Sequence, residues 1–167
     1  MLAEEIIKIL HLKPLPFEGG FFRETYRSDE IIEKRFLPSR YGSSKPYYTA
    51  IYYLITSNTF SYIHRLPTDE IFHFYLGDPV IMLQLHPNGE KEEIIIGNDI
   101  LNGEIPQILV PKNVWQGCML KDGGNFALMG TTMSPGFDFS DLEIGKRDEL
   151  IEKYPQAKDL ILKLTKL

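Results

Sequence analysis

The chain has 167 residues, 43% hydrophobic and 25% charged, with a formal net charge of −5, values that suit one globular domain over residues 1–167 with a substantial core. The acidic balance argues against a nucleic-acid chain as partner, because phosphate binding needs a basic face, although a local basic patch around a phosphorylated ligand stays compatible with it. Cys118 is the only cysteine, so no intrachain disulfide forms, which agrees with a cytoplasmic location.

Taken in chain order, the first predicted element is a short amphipathic helix over Ala3 to Leu10, with Ile6, Ile9 and Leu10 on one face and Pro14 and Pro16 beyond its end. With Glu4 and Glu5 and no long apolar core, this opening reads as neither a signal peptide nor a membrane span, so no membrane partner is expected. A series of short segments rich in Tyr, Phe, Ile and Val follows: Tyr47 to Thr56, Thr59 to Leu66, Glu70 to Leu76, Val80 to His86, Glu92 to Ile96, Gln107 to Val110, Trp115 to Leu120 and Phe126 to Met133. Turn-forming clusters such as Pro67-Thr68-Asp69, Pro87-Asn88-Gly89 and Asp122-Gly123-Gly124 separate them, and closely spaced strands of this kind predict a β-sandwich or barrel. Asp138, Asp141 and Glu143 read as a solvated loop or an acidic rim. Helix returns over Asp148 to Leu167, interrupted at Pro155, where a second helix is expected to start. Both helical ends are expected to cover a sheet or a barrel mouth.

Chemistry concentrates between His64 and Gly77. Strand alternation puts Phe60, Tyr62, His64 and Leu66 on one face, with Ser61, Ile63 and Arg65 on the other. A turn then starts a new strand at Glu70, so the His64 imidazole and the Glu70 carboxylate can converge inside a barrel, a pair suited to acid–base chemistry or to metal binding. On spacing alone, a satisfied core histidine beside a turn carboxylate is the preferred reading. His73 sits three residues past Glu70, and alternation puts it on the opposite face unless a bulge intervenes. In the strand over Tyr47 to Thr56, Thr49, Ile51 and Tyr53 share one face, while Tyr48, Ala50, Tyr52 and Leu54 share the other, and either face can be the interior.

His64, Glu70 and Gly77 resemble the first cupin motif, with Leu66 at its second histidine position; Gly103, Pro111, Asn113 and Gln116 resemble the second, with Gln116 at its histidine position. The run Glu18-Gly19-Gly20-Phe21-Phe22-Arg23-Glu24-Thr25-Tyr26-Arg27-Ser28, the stretch Asp69 to Phe74, Val110-Pro111 with Trp115-Gln116, and Ser134 to Phe139 resemble the Cupin_5 family, RmlC-like cupins of unknown function. Many members carry a His-Pro pair before Glu-Gly-Gly, where this chain has Pro16-Phe17, so no role of that histidine transfers. The resemblance implies an all-β double-stranded β-helix, the cupin jelly roll, with short flanking helices at both termini, and a homodimer.

Three activities are consistent with the resemblance. The first is a binding module for a small polar metabolite, such as a sugar nucleotide. The second is a metal-independent epimerase or isomerase acting next to a carbonyl, with His64 as base, Glu70 as a second catalytic group, and Tyr53 or Tyr62 as acid. The third is a metal-dependent enzyme with a divalent ion on His64 and Glu70, helped by Gln116 or His73. Leu66 cannot coordinate and Gln116 is a poor ligand for iron, copper or zinc, so no required cofactor is expected. Arg23 and Arg65 are candidates for an anionic ligand group or for surface ion pairs, and Trp115 for stacking on a ligand ring or for packing in the core.

Overall fold

A computed structural model describes residues 2–166. The chain opens with α1 (Ala3–Ile9) and then runs through β1 (Lys13–Pro14), β2 (Phe21–Arg27), β3 (Ile31–Ile32), β4 (Lys45–Pro46), β5 (Thr49–Thr56), β6 (Ser61–Arg65) and β7 (Glu70–Gly77). It continues through β8 (Val80–Leu85), β9 (Lys91–Ile96), β10 (Gln107–Val110), β11 (Trp115–Leu120), β12 (Phe126–Met133) and β13 (Glu143–Ile144), and ends in α2 (Arg147–Lys153) and α3 (Lys158–Lys163). Leu167, the last residue of the expected C-terminal helix, lies outside the described residues.

Two antiparallel sheets face each other: a six-stranded sheet in the order β1-β2-β5-β12-β7-β10, and a five-stranded one in the order β13-β6-β11-β8-β9. Consecutive strands such as β6 and β7 lie in different sheets, and this crossing between layers makes a jelly roll. The main core fills the space between the sheets, with Tyr53, Ile55, Phe72, Met82, Cys118 and Met129 among its members.

The outer faces are covered as well. Ile63, Leu83 and Leu85 point out of the five-stranded sheet onto Leu150, Tyr154, Ile161 and Leu164 of the C-terminal segment. Leu54 and Leu128 point out of the six-stranded sheet onto Ile6 and Leu12 at the N-terminus. A strand buried on both faces needs apolar residues at nearly every position, which explains the unbroken run Val80–Leu85. The terminal helices therefore cover sheet faces and not the barrel mouth. No helix among the described residues is long and apolar enough to cross a membrane.

Strand β2 was not among the segments expected from the sequence. Its residues from Glu24 to Arg27 are exposed, and its register with β5 shifts between Glu24 and Tyr26, so no clean alternation marks it. Pro155 interrupts the C-terminal helix as expected, opening a 3-10 turn that leads into α3. Asn113, at the position of a cupin glycine, has φ 65°, a left-handed conformation that asparagine tolerates better than most residues.

Candidate functional site

The interior site is built around a β-bulge in β6. Opposite β11, Gln116 pairs with His64 but Cys118 pairs with Ser61, so β6 carries one extra residue across this stretch. The extra residue breaks simple alternation: Ser61 and His64 both face inward, and Ile63 joins the outer cluster beneath the C-terminal helices. The bulge also frees the peptide groups of Tyr62. Its N–H donates to the carbonyl of Glu18 (2.7 Å), and its carbonyl accepts the Nδ1–H of His64 (2.7 Å). One irregular residue thus anchors the loop that carries Glu18 and fixes the tautomer of His64.

Glu18 reaches the interior because two glycines follow it. Gly19 and Gly20 have φ of 85° and 73°, and a Cβ on Gly20 would stand 2.8 Å from the Leu54 carbonyl and 2.9 Å from the Tyr53 ring. Only glycine permits both the left-handed backbone and so close an approach. Tyr53 supports the same loop, its hydroxyl donating to the Gly19 carbonyl (3.1 Å).

With Nδ1 of His64 protonated, Nε2 is an acceptor, and it receives an N–H of the Gln116 amide at 2.8 Å. The same amide nitrogen lies 3.4 Å from Glu70 Oε2, and Glu18 Oε2 lies 3.4 Å from His64 Nε2. Burial holds the His64 pKa below its usual value despite the opposing pull of Glu70, so the Glu18–His64 contact is not an ion pair near neutral pH. Burial pushes both carboxyls up, Glu18 to about 7 and Glu70 to about 7; for Glu70 the His64 imidazole and a Thr131 hydrogen bond oppose the rise and Glu18 adds to it. Cys118 is fully buried and its thiol is pushed up to about 12, chiefly by desolvation, so it is a packing residue and not a thiolate nucleophile. Gln116 Oε1 is the one buried side-chain oxygen or nitrogen without a hydrogen-bond partner among the described residues.

Glu18 and Glu70 both line a cavity of about 60 Å³, whose walls include Phe22 and Ile51 and whose outer end is formed by Phe137, Phe139 and the Glu24–Arg27 pair. Arg27 is held there by Glu24 (3.0 and 2.8 Å) and by the Phe137 carbonyl (3.1 Å). A larger groove of about 580 Å³ runs along the surface past Arg40, Arg65, Asp141 and Glu143, separated from the interior by Leu66, which borders both.

Of the residues expected from the sequence, the fold brings together His64, Glu70 and Gln116, with Tyr53 on the same interior side. It keeps the others apart from them. Arg23 lies on the outer face over the Tyr52 ring, 5.4 Å from its centroid. Tyr62 packs edge-on against Phe60, with the Lys166 ammonium over its ring; the bulge removes it from the face of His64. Arg65 pairs with Glu143 (2.7 and 3.0 Å) and stacks over Trp115, which packs beneath the C-terminal helices. His73 bonds Thr132 (3.0 Å) on the outer face, as alternation from Glu70 requires. The acidic residues after Phe137 form no open rim: Asp141 pairs with the buried Lys45 (2.6 Å), Glu143 with Arg65, and Asp138 accepts the Ser140 N–H (2.8 Å). Sequence reasoning missed Glu18, and the signal that marks it is a carboxylate directly before Gly19-Gly20.

The donor set does not fit a tightly held metal ion. An amide NH2 stands between the imidazole nitrogen and the Glu70 carboxylate, where an ion bridging those two ligands would have to sit, and Leu66 supplies no donor. Among the described residues no group of three or more His, Cys, Asp or Glu side chains is arranged to hold a metal.

Known proteins share this architecture. The chain is 35% identical to protein SO0799 from Shewanella oneidensis, whose crystal structure superposes with a TM-score of 0.86 over 99% of this chain and 98% of that one. A hypothetical protein from Leishmania major is 30% identical, with a TM-score of 0.88 over the full length of both chains. The uncharacterized protein YML079W of Saccharomyces cerevisiae is 30% identical over 133 residues, and the match spans 74% of this chain and 66% of the yeast protein. Residues 4–145 match the model of Cupin_5, described as Cupin superfamily (DUF985), and the chain belongs to that family.

Proposed function

We propose that this protein binds a small polar metabolite inside the barrel, against Glu18, His64, Glu70 and Gln116. One observation carries the reading: the carboxyls of Glu18 and Glu70 both open into the same interior cavity, with His64 and Gln116 directly behind them. Two carboxyls turned into an interior cavity and short of donors lose hydrogen bonds that a polar ligand can restore. The interior cavity has no cation free for a diphosphate, since Arg27 at its mouth is occupied by Glu24, so the reading favours a metabolite without phosphate at this site. Screening a metabolite library by thermal shift, with mass spectrometry of the recovered compound, tests it. A binder recovered unchanged, whose effect is lost in Glu70→Gln, is the expected result; a library with no binder, or a binder indifferent to Glu70→Gln, counts against it.

A second reading, an isomerase or epimerase acting next to a carbonyl, is favoured by the Glu18 and Glu70 carboxyls, both raised to about 7, beside the neutral His64 imidazole; for His64 to act as base, substrate must first displace the Gln116 amide from its Nε2 lone pair. Groups with pKa values near the working pH suit proton abstraction and return. His64→Asn abolishes turnover on this reading while the fold persists; retained turnover excludes His64 as the base. We also propose a homodimer and a cytoplasmic location. The outer face of the six-stranded sheet leaves Tyr26, Tyr48, Ile71, Tyr75 and Leu109 exposed as a surface for the dimer contact. Sedimentation over a range of concentrations tests the dimer, and fractionation of cells tests the location.

A further inference from the structure

The inner end of the interior site, around Glu18 and Glu70, has acceptors to spare and few donors, while the Arg27 guanidinium and the Thr49 hydroxyl stand farther out, engaged by Glu24 and by the Phe137 N–H. His64 uses its Nδ1–H on the Tyr62 carbonyl and its Nε2 lone pair on the Gln116 amide. Gln116 turns both N–H groups to His64 and Glu70, leaving Oε1 without a donor. Tyr53 spends its hydroxyl proton on Gly19. The Glu18 carboxyl, 3.4 Å from an imidazole nitrogen that already accepts, has no donor of its own there, and Glu70 has only the long contact from Gln116 and the Thr131 hydroxyl. Phe22, Phe137 and Phe139 contribute aromatic surface to the cavity. Complementarity then asks for a ligand group that donates several hydrogen bonds, carries no negative charge and tolerates ring faces. A volume of about 60 Å³ limits the group at the bottom to a few heavy atoms.

We propose that the interior site takes a small primary ammonium head group, seated between the carboxyls of Glu18 and Glu70 with the aromatic mouth around its alkyl stem. The inference rests on the reading of the barrel as a metabolite site and names the chemical class of the metabolite. An ammonium brings three donors, and its charge compensates a site that ionises to negative. A carboxylate or phosphate would face two glutamates with no free cation beside it.

The test uses the whole protein at pH 8 and constant ionic strength, with methylammonium, acetate, inorganic phosphate, ethylene glycol and Mn²⁺ as separate probes. Methylammonium is expected to raise Tm saturably, by about 5–10 °C at a hundredfold excess over Kd, and Glu18→Gln to remove most of that rise. Saturation-transfer NMR on the unaltered protein gives a reading that needs no variant: the methyl signal of methylammonium is expected to be enhanced and that of acetate is not. A saturable effect of acetate, phosphate or ethylene glycol without one of methylammonium overturns the ammonium assignment and leaves the metabolite site standing. A saturable Mn²⁺ effect lost in Glu18→Gln overturns it in favour of a metal. No saturable effect from any probe overturns both readings.

Discussion

The amide nitrogen of Gln116 donates to Nε2 of His64 over 2.8 Å, and this bond occupies the imidazole lone pair that a metal would need. His64 is locked in that state from the other side by the Tyr62 carbonyl. The pair defines an interior that is polar, neutral at the imidazole and short of donors.

The first prediction concerns metal. Dialysed wild-type protein is expected to retain no stoichiometric Mn, Fe or Zn in elemental analysis. The double variant Leu66→His/Gln116→His removes the competing amide and supplies two imidazoles, so it is expected to gain saturable stabilisation by these ions. One equivalent of metal surviving dialysis of the wild type, and lost in Glu70→Gln, would show that Gln116 does not exclude the ion.

The two raised carboxyls set a pH dependence. Between pH 4.5 and about 7 the unfolded chain has ionised Glu18 and Glu70 while the folded chain still holds their protons, so stability falls as pH rises through that window. The loss is at most on the order of 3 kcal/mol per carboxyl, at about 1.4 kcal/mol for each pH unit between 4.5 and about 7. His64 acts in the opposite sense: its folded pKa is depressed, so its contribution is present above 6.5 and lost as pH falls below it. Two carboxyls outweigh one imidazole, so calorimetry is expected to give a higher Tm at pH 5.5 than at pH 8. Glu18→Gln is expected to raise Tm at pH 8 and change it little at pH 5. A Tm for Glu18→Gln below wild type at both pH values would contradict this account.

Gly19→Ala tests how Glu18 is placed. The new Cβ would collide with the Phe60 carbonyl in a left-handed backbone, so the loop must move and Glu18 with it. We expect a loss of about 2 kcal/mol or more by urea denaturation, together with loss of ligand stabilisation. Gly42→Ala, with open space around the new methyl, serves as the control and is expected to stay within about 0.5 kcal/mol of wild type.

Lys45 is fully buried and pairs with Asp141 at 2.6 Å, with Ser43 accepting a second bond at 3.0 Å. Asp141→Asn leaves an ammonium buried without its counter-charge and is expected to cost about 3–5 kcal/mol. Replacing both partners by apolar residues, Lys45→Met with Asp141→Leu, is expected to recover most of that loss. If the double variant were no more stable than Asp141→Asn, the cost would not lie in the stranded charge.

Much of this molecule is legible along the chain. The turn clusters and apolar runs bound the eight strands from β5 to β12 because hydrogen-bonded strands and φ-restricted turns are local consequences of residue type. Strand alternation and the turn before Glu70 allowed His64 and Glu70 to converge, and the resemblance to the second cupin motif added Gln116; the three do meet. Three matters were decided by the tertiary structure. The bulge at Tyr62 turns that ring away from His64 and frees its peptide to hold Glu18, and a bulge depends on the partner strand, which no local pattern encodes. Alternation already set His73 opposite Glu70 and Arg65 opposite His64, but it left open which face is the interior; Arg23 and Trp115 fall outside the barrel because the terminal helices bury the outer faces and make both look apolar. Glu18 lies 46 residues before His64 and belongs to no strand, so only the folding of its glycine loop over the bulge brings its carboxyl within 3.4 Å of the imidazole. Residue types and their local periods determined a β-sandwich with a histidine and a glutamate inside it, and long-range packing decided which charges share that interior.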